Sequence, residues 1–156
     1  MSPPTQRTVP NASILVGLVL CVAGLAVAGY LTIEHFDSAV TLACPETGRI
    51  NCQKVTTSQY SEVLGIPVAL LGLGYFAIAT ALLLPSAWRS TDPLVRTARL
   101  AWVGLGVAMV IYLVWAEFYG VNAICLWCTT VHVITLLMFA LVVFTEAWIL
   151  PVPASR

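Results

Sequence analysis

Two cysteines separated by two residues, Cys125 and Cys128, form the part of this sequence with the clearest capacity for chemistry. They follow a short polar break at 117–122 and precede an apolar run that continues to Leu150. In the first turn of a helix such cysteines face the same side, and the free amides and helix dipole stabilise a thiolate there. The pair can therefore act as a redox dithiol. The alternatives are two buried structural cysteines or half of a metal site.

The composition indicates a protein that is embedded in a lipid membrane. Of the 156 residues, 60% are hydrophobic and only 9% are charged, far from the averages of soluble domains. The formal net charge is zero, which gives no reason to expect a nucleic-acid partner. We expect one compact domain over residues 1–156, embedded in a bilayer.

Four apolar segments are long enough to cross that bilayer as helices. About 20 residues at 1.5 Å per residue span a hydrocarbon core of about 30 Å. The first segment is too long for a signal peptide and lacks a convincing small-residue cleavage site, so we expect it to be retained. We predict an all-α integral membrane protein, a four-transmembrane-helix bundle with spans at about 14–33, 64–84, 99–117 and 125–149.

The Lys and Arg residues favour one orientation of this bundle in the cell membrane. Most of them lie in the two tails or around the 85–98 connection, and only two lie in the long first connection at 34–63. Positive charge accumulates on the cytoplasmic side. We therefore predict cytoplasmic termini and an extracytoplasmic first loop. The residues counted are Arg7, Arg89, Arg96, Arg99 and Arg156 on one side, and Arg49 and Lys54 on the other.

A second cysteine pair lies in the first loop, 34–63. This loop has about 30 residues, too many for a plain connector. Cys44 and Cys52 stand at the ends of a turn bent by Pro45 and Gly48, so a disulfide between them is sterically easy. Taken alone, the pair is typical of a structural crosslink. A structural four-helix membrane protein stapled by loop disulfides is accordingly the alternative to an enzyme.

The predicted topology brings both pairs to one membrane face. Cys125 and Cys128 open the fourth helix from the extracytoplasmic side, where the loop pair also lies and where disulfides persist. Two dithiols at one face suggest a relay, in which a thiolate attacks a neighbouring disulfide and its partner resolves the mixed disulfide. Four cysteines can also bind zinc, but the oxidising face disfavours that interpretation. The fifth cysteine, Cys21, lies within the first span and is expected to be a small hydrophobic residue.

His132 is the ionisable side chain expected furthest inside a span. Asp, Glu, Lys and Arg lie near the ends of the predicted spans, so we expect no carboxylate in the membrane interior, which disfavours a transporter. His132 follows Cys128 by four residues and Cys125 by seven, which places all three on one helix face. It is a functional candidate, and the alternative is a histidine bonded to a neighbouring helix.

Several stretches together resemble the vitamin K epoxide reductase family. They are the loop cysteines with seven residues between them, the segment from Cys52 to Ser58, the segment 65–72, and the CxxC motif followed by two threonines. Their order and spacing match the family over about residues 10–150. The resemblance implies a four-helix bundle around a quinone pocket, capped by the first loop. It also implies a quinone of the menaquinone or ubiquinone class as co-substrate, and no metal.

The resemblance further implies a role for each of these residues. A thioredoxin-like (DsbA-like) protein reduces the Cys44–Cys52 disulfide. Cys52 then passes electrons to Cys125, and Cys128 reduces the quinone. Ser58 matches a serine that lies close to the quinone site in that family.

Two departures from the family pattern refine this expectation. Bacterial relatives often carry a thioredoxin-like domain after the last helix, whereas this sequence ends at Arg156, so we expect a separate partner protein. Animal enzymes have a tyrosine seven residues after the first CxxC cysteine, where it bonds the quinone carbonyl. Here that position is His132. This disfavours vitamin K epoxide as the substrate and favours a bacterial enzyme of disulfide formation in exported proteins.

Overall fold

The computed structural model describes residues 9–37 and 42–149, and these residues form a helical bundle with a small hairpin. Arg7 and Arg156, used above for the orientation, lie outside the described residues. A π-helical turn, Ala116–Val121, continues the fifth helix. In chain order the elements are α1 (Asn11–Phe36), α2 (Cys52–Thr56), β1 (Glu62–Val63), β2 (Ile66–Pro67), α3 (Val68–Leu83), α4 (Pro85–Trp88), α5 (Pro93–Trp115), the π-helical turn, and α6 (Leu126–Ile149).

Three of the described helices are long and apolar enough to cross a membrane. They are α1, α5 together with the π-helical turn, and α6, and they match the first, third and fourth predicted spans. The remaining apolar helix, α3, has 16 residues. That corresponds to about 24 Å at 1.5 Å per residue, somewhat less than a hydrocarbon core. The described residues thus contain three helices that could each cross a membrane, and the fourth span stays a prediction.

The predicted second span, 64–84, begins too early. Residues 62–67 form an antiparallel hairpin instead, in which Glu62 pairs with Pro67. Its two-residue turn consists of Leu64 and Gly65, with φ of 54° and 76°. Both angles lie in the left-handed region, which a right-handed helix cannot include. The helix therefore starts only at Val68.

Close packing of α1 against α3 forms the centre of the bundle. Gly24 of α1 faces the ring of Phe76, so closely that a Cβ at this position would overlap the ring. Phe76 itself is fully buried. Cys21, one turn before Gly24, is also fully buried, and its Sγ lies 3.7 Å from Sδ of Met138 on α6. Small residues thus let three helices approach closely, and Cys21 behaves as a small hydrophobic residue.

A buried arginine of α5 contacts three other helices at the end of the bundle opposite the CxxC motif. Arg99 of α5 donates to the carbonyl oxygens of Leu82 (3.0 Å) and Ala87 (2.7 Å), and it forms an ion pair with Glu146 of α6. Its guanidinium also lies 3.8 Å from the ring centre of Trp88. A buried charge is tolerated when it is paired and fully hydrogen-bonded. This arrangement places the basic 85–98 connection far from Cys125 and Cys128.

Candidate functional site

The two cysteine pairs are in different redox states in this structure. Cys44 and Cys52 form a disulfide, whereas Cys125 and Cys128 are free thiols. Cys44 is partly exposed, but Cys52, the first residue of α2, is 1% exposed. The side chain of Asn51 accepts a hydrogen bond from the amide of Lys54 (2.8 Å) and so caps α2. The loop disulfide therefore has one accessible and one buried sulfur.

The loop pairs with the backbone that leads into the CxxC motif. The amide of Ile124 donates to the carbonyl of Arg49 (2.8 Å), and the amide of Asn51 donates to the carbonyl of Ile124 (3.1 Å). These bonds form a parallel bridge between residues 50 and 124. Cys52 and Cys125 each follow the paired segment directly, and both are buried. The pairing holds the Cys52 end of the loop against the start of α6.

A second anchor fixes the residue before Cys44. The indole N–H of Trp127 donates to the carbonyl of Ala43 (3.1 Å), and the amide of Ala43 donates to the hydroxyl of Tyr30 (3.1 Å). The rings of Tyr30 and Trp127 meet edge to face with 5.0 Å between their centres. A residue inside the CxxC motif and a residue of α1 thus position the accessible cysteine of the loop.

The local environment of Cys125 favours a thiolate. Cys125 directly precedes the first residue of α6, and the backbone N–H of Cys128 donates to its Sγ at 3.3 Å. A hydrogen bond from the Cys128 thiol lowers the pKa of Cys125 most; burial opposes this, and the amides of Trp127 and Cys128 add to the lowering. A thiol with a lowered pKa is a good leaving group in disulfide exchange.

A largely apolar cavity of about 490 Å³ lies beside Cys128. Its walls come from α1, α3, α5 and α6, and residues within 55–61 of the first loop also line it. The volume lies in the range of small-molecule sites. The predicted site residues Ser58 and His132 line this same cavity with Cys128, and His132 is 5% exposed. The fold therefore brings these three residues together.

One polar group of the cavity wall has no partner within the described part of the chain. The hydroxyl of Tyr75 is buried and makes no hydrogen bond there. Its ring stacks on Trp102 at 5.6 Å, and the indole N–H of Trp102 donates to the carbonyl of Tyr75 (3.1 Å). These contacts fix the position of the ring. Because leaving a buried donor unpaired costs free energy, this hydroxyl indicates a site for a ligand with an acceptor.

A sequence profile of the vitamin K epoxide reductase family matches residues 15–143, most of the chain. The chain belongs to this family. Membership implies a membrane thiol oxidoreductase, which agrees with the long apolar helices and with the disulfide of the loop. Within residues 9–37 and 42–149, no cluster of three or more His, Cys, Asp or Glu side chains is arranged to hold a metal ion.

Ser58, which the family resemblance singled out, is hydrogen-bonded within its own loop. Its hydroxyl donates to the carbonyl of Val55 (2.8 Å) and accepts from the amide of Tyr60 (3.3 Å). A serine hydroxyl has one hydrogen to donate, and this one is used. In this conformation Ser58 shapes the cap of the cavity and offers a ligand only an acceptor.

Glu117 is a cavity residue that the sequence did not single out, because it lies at the end of a predicted span. In the structure it is 4% exposed and belongs to the π-helical turn. Its Oε1 accepts the backbone N–H of Cys125 at 3.4 Å. The expectation that no carboxylate lies in the interior is therefore wrong. The available signal was an acidic residue within the apolar segment 93–121, where such residues are functional candidates.

Proposed function

We propose that this chain reoxidises a separate thioredoxin-like (DsbA-like) protein and passes the electrons through its two cysteine pairs to a membrane quinone, supporting disulfide formation in exported proteins. One observation carries the proposal. The loop that bears the Cys44–Cys52 disulfide is hydrogen-bonded to the start of α6, where the second cysteine of the CxxC motif faces an apolar cavity. A structural crosslink alone does not account for that arrangement.

The accessibility of the sulfurs supports the following order of exchange steps. A thiolate of the reduced partner attacks the sulfur of Cys44, and the sulfur of Cys52 leaves. The second thiol of the partner then attacks the first, which forms the partner's disulfide and releases Cys44. Cys52 next attacks Cys125 in the oxidised CxxC pair, and Cys128 leaves. Cys44 finally attacks Cys52, and Cys125 leaves as a thiolate, which its lowered pKa favours. The loop disulfide is restored, and the CxxC pair holds the two electrons.

The cavity fits a quinone ring and the start of its hydrocarbon chain. Four apolar residues of α3 and α5 line the cavity and are also exposed on the outer surface of the bundle. They give the hydrocarbon chain of a quinone a path toward lipid. These residues are Leu70, Leu71, Ile78 and Leu105. The unpaired Tyr75 hydroxyl and the His132 ring supply donors for two carbonyl oxygens. The quinone itself accepts two electrons and two protons.

We expect the pre-reduced protein to reduce a short-chain ubiquinone or menaquinone analogue, one quinone for each CxxC pair oxidised. The measurement is quinone absorbance together with mapping of the disulfides formed. Cys128→Ser should abolish the reaction, whereas Cys21→Ala, a cysteine outside the relay, should leave its rate unchanged. A parent protein that folds but whose CxxC pair stays reduced would favour the structural alternative. Quinone co-purified with the protein, identified by mass, would name the natural substrate class.

The orientation in the cell membrane is also part of the proposal, with both termini in the cytoplasm and all four relay cysteines outside. In a variant without native cysteines, an impermeant thiol reagent on intact cells should label Thr47→Cys but not Ser90→Cys. Both positions are exposed in the structure, so burial does not account for a difference between them. Permeabilised cells supply the control, because both positions should then react. Labelling of Ser90→Cys alone in intact cells would overturn the orientation and the relay with it.

A further inference from the structure

We infer that Glu117 carries a proton from the reduced CxxC pair to the quinone, an inference that rests on the proposed function. Oxidation of the dithiol to a disulfide releases two electrons and two protons, and reduction of a quinone to a quinol consumes both. The electrons pass directly from sulfur to the ring. The protons need a group in the same closed space that can both accept and donate one.

The position of Glu117 meets this requirement. The carboxyl group contacts the backbone of Cys125 through the hydrogen bond at 3.4 Å, and it lines the cavity together with Cys128 and His132. With 4% exposure, it has little access to bulk water. The π-helical turn is the local feature that places it there, and such turns recur at functional sites.

No basic side chain of the described residues forms an ion pair with Glu117. The ion pairs found there join His35 to Glu62, and Arg96 and Arg99 to Glu146. A buried arginine beside a carboxyl group favours the ionised form of that group. Glu117 has no such constraint and can exist in either form during a catalytic cycle.

The proton balance of one turnover is simple. Glu117 as a carboxylate takes the proton of one CxxC thiol as the sulfur becomes a nucleophile. It then gives that proton to one quinone oxygen and returns to its starting form. The other proton of the dithiol passes to the second quinone oxygen, so that two electrons and two protons reach the quinol. Other titratable groups also line the cavity. They are Cys128 and His132 of α6, Tyr75 of α3, Glu34 and His35 of α1, and Tyr60 of the first loop. Cys125, at the start of α6, contacts Glu117 through its backbone N–H.

The test compares Glu117→Gln with Glu62→Gln, the same change at an exposed glutamate that does not line the cavity. Glutamine keeps an oxygen that accepts the Cys125 amide but cannot carry a proton. Single-turnover reduction of a short-chain quinone should slow about 10²–10⁴-fold in Glu117→Gln, the usual contribution of a positioned acid–base group. Glu62→Gln should react at the parent rate.

A second readout needs no quinone. In a background of Cys44→Ala and Cys52→Ala, ultraviolet absorbance follows thiolate formation in the reduced CxxC pair against pH. Glu117→Gln should form the thiolate at lower pH than the parent, because a neighbouring carboxylate opposes that charge. Thiolate formation at lower pH combined with slower quinone reduction is the signature of a proton carrier, and a purely structural residue does not produce it.

Each outcome is decisive. An unchanged quinone rate in Glu117→Gln overturns the inference. If Glu117→Gln melts at a lower temperature than the parent, Glu117→Asp, which retains a carboxyl group, should regain much of the lost rate; failure to regain it in a protein as stable as the parent also overturns it. A parent protein that does not reduce the quinone at all refutes the proposed function instead.

Discussion

A disulfide between Cys52 and Cys125 should accumulate when Cys128 is replaced by alanine. In Cys128→Ala, the thiolate of Cys125 attacks Cys52 in the loop disulfide, and Cys44 leaves. Cys128, which would attack Cys125 and re-form the CxxC disulfide, is absent, so the disulfide between Cys52 and Cys125 persists. The backbone pairing of residues 49–51 with Ile124 holds the reacting segments together. Non-reducing peptide mapping by mass spectrometry measures the bond.

Two double variants make this result specific. Cys44→Ala with Cys128→Ala leaves Cys52 and Cys125 as free thiols without their partners, so an added thiol oxidant that removes two electrons should convert nearly all of the protein to the Cys52–Cys125 disulfide. Cys52→Ala with Cys128→Ala leaves Cys44 as the loop cysteine, which Trp127 and Tyr30 anchor through Ala43 rather than beside Cys125. This variant should form little internal disulfide. Equal bond formation in both would show that the loop is not held in the register described here, and only Cys44–Cys52 in Cys128→Ala would favour the structural alternative.

The features predicted correctly from the sequence are those that depend on local spacing. The CxxC motif at the start of an apolar helix gives one dithiol whatever the rest of the fold does. A turn with Pro45 and Gly48 brings Cys44 near Cys52 without help from other segments, and the structure confirms that disulfide. Apolar runs of about 20 residues mark α1, α5 and α6, because length and hydropathy together decide whether a helix can span a bilayer.

The features that the sequence did not reveal depend on tertiary contacts. Glu117 lies at the end of a span in the sequence, and only the π-helical turn with the overlying loop buries it beside Cys125. Tyr75 resembles any aromatic residue of an apolar helix until packing on Trp102 leaves its hydroxyl buried and unpaired. Likewise, α3 begins later than predicted because Leu64 has a left-handed backbone conformation. Leucine rarely adopts that conformation, so the residue type does not indicate the turn.

Replacing His132 by phenylalanine should slow quinone reduction strongly while leaving exchange between the partner protein and the loop intact. The imidazole lies one turn beyond Cys128 on the wall of the cavity, where it can donate a hydrogen bond to a carbonyl oxygen as negative charge develops there. In such a low-dielectric site, loss of one donor typically costs about 10²–10³ in rate. The measurement is single-turnover quinone reduction by the pre-reduced protein.

Variants with side chains of similar shape distinguish the loss of a hydrogen-bond donor from a change in packing. His132→Tyr should retain much of the rate, since a phenol can donate from a similar place. Tyr75→Phe removes the buried, unpaired hydroxyl of the cavity without changing the ring that stacks on Trp102, and it should also slow the reaction. Two donors that hold opposite carbonyls of one ring act as a unit, so the two losses should not add in the double variant. A parental rate in His132→Phe would instead make His132 a core residue, and Tyr75 and Glu117 would then be the polar groups left to recognise the quinone.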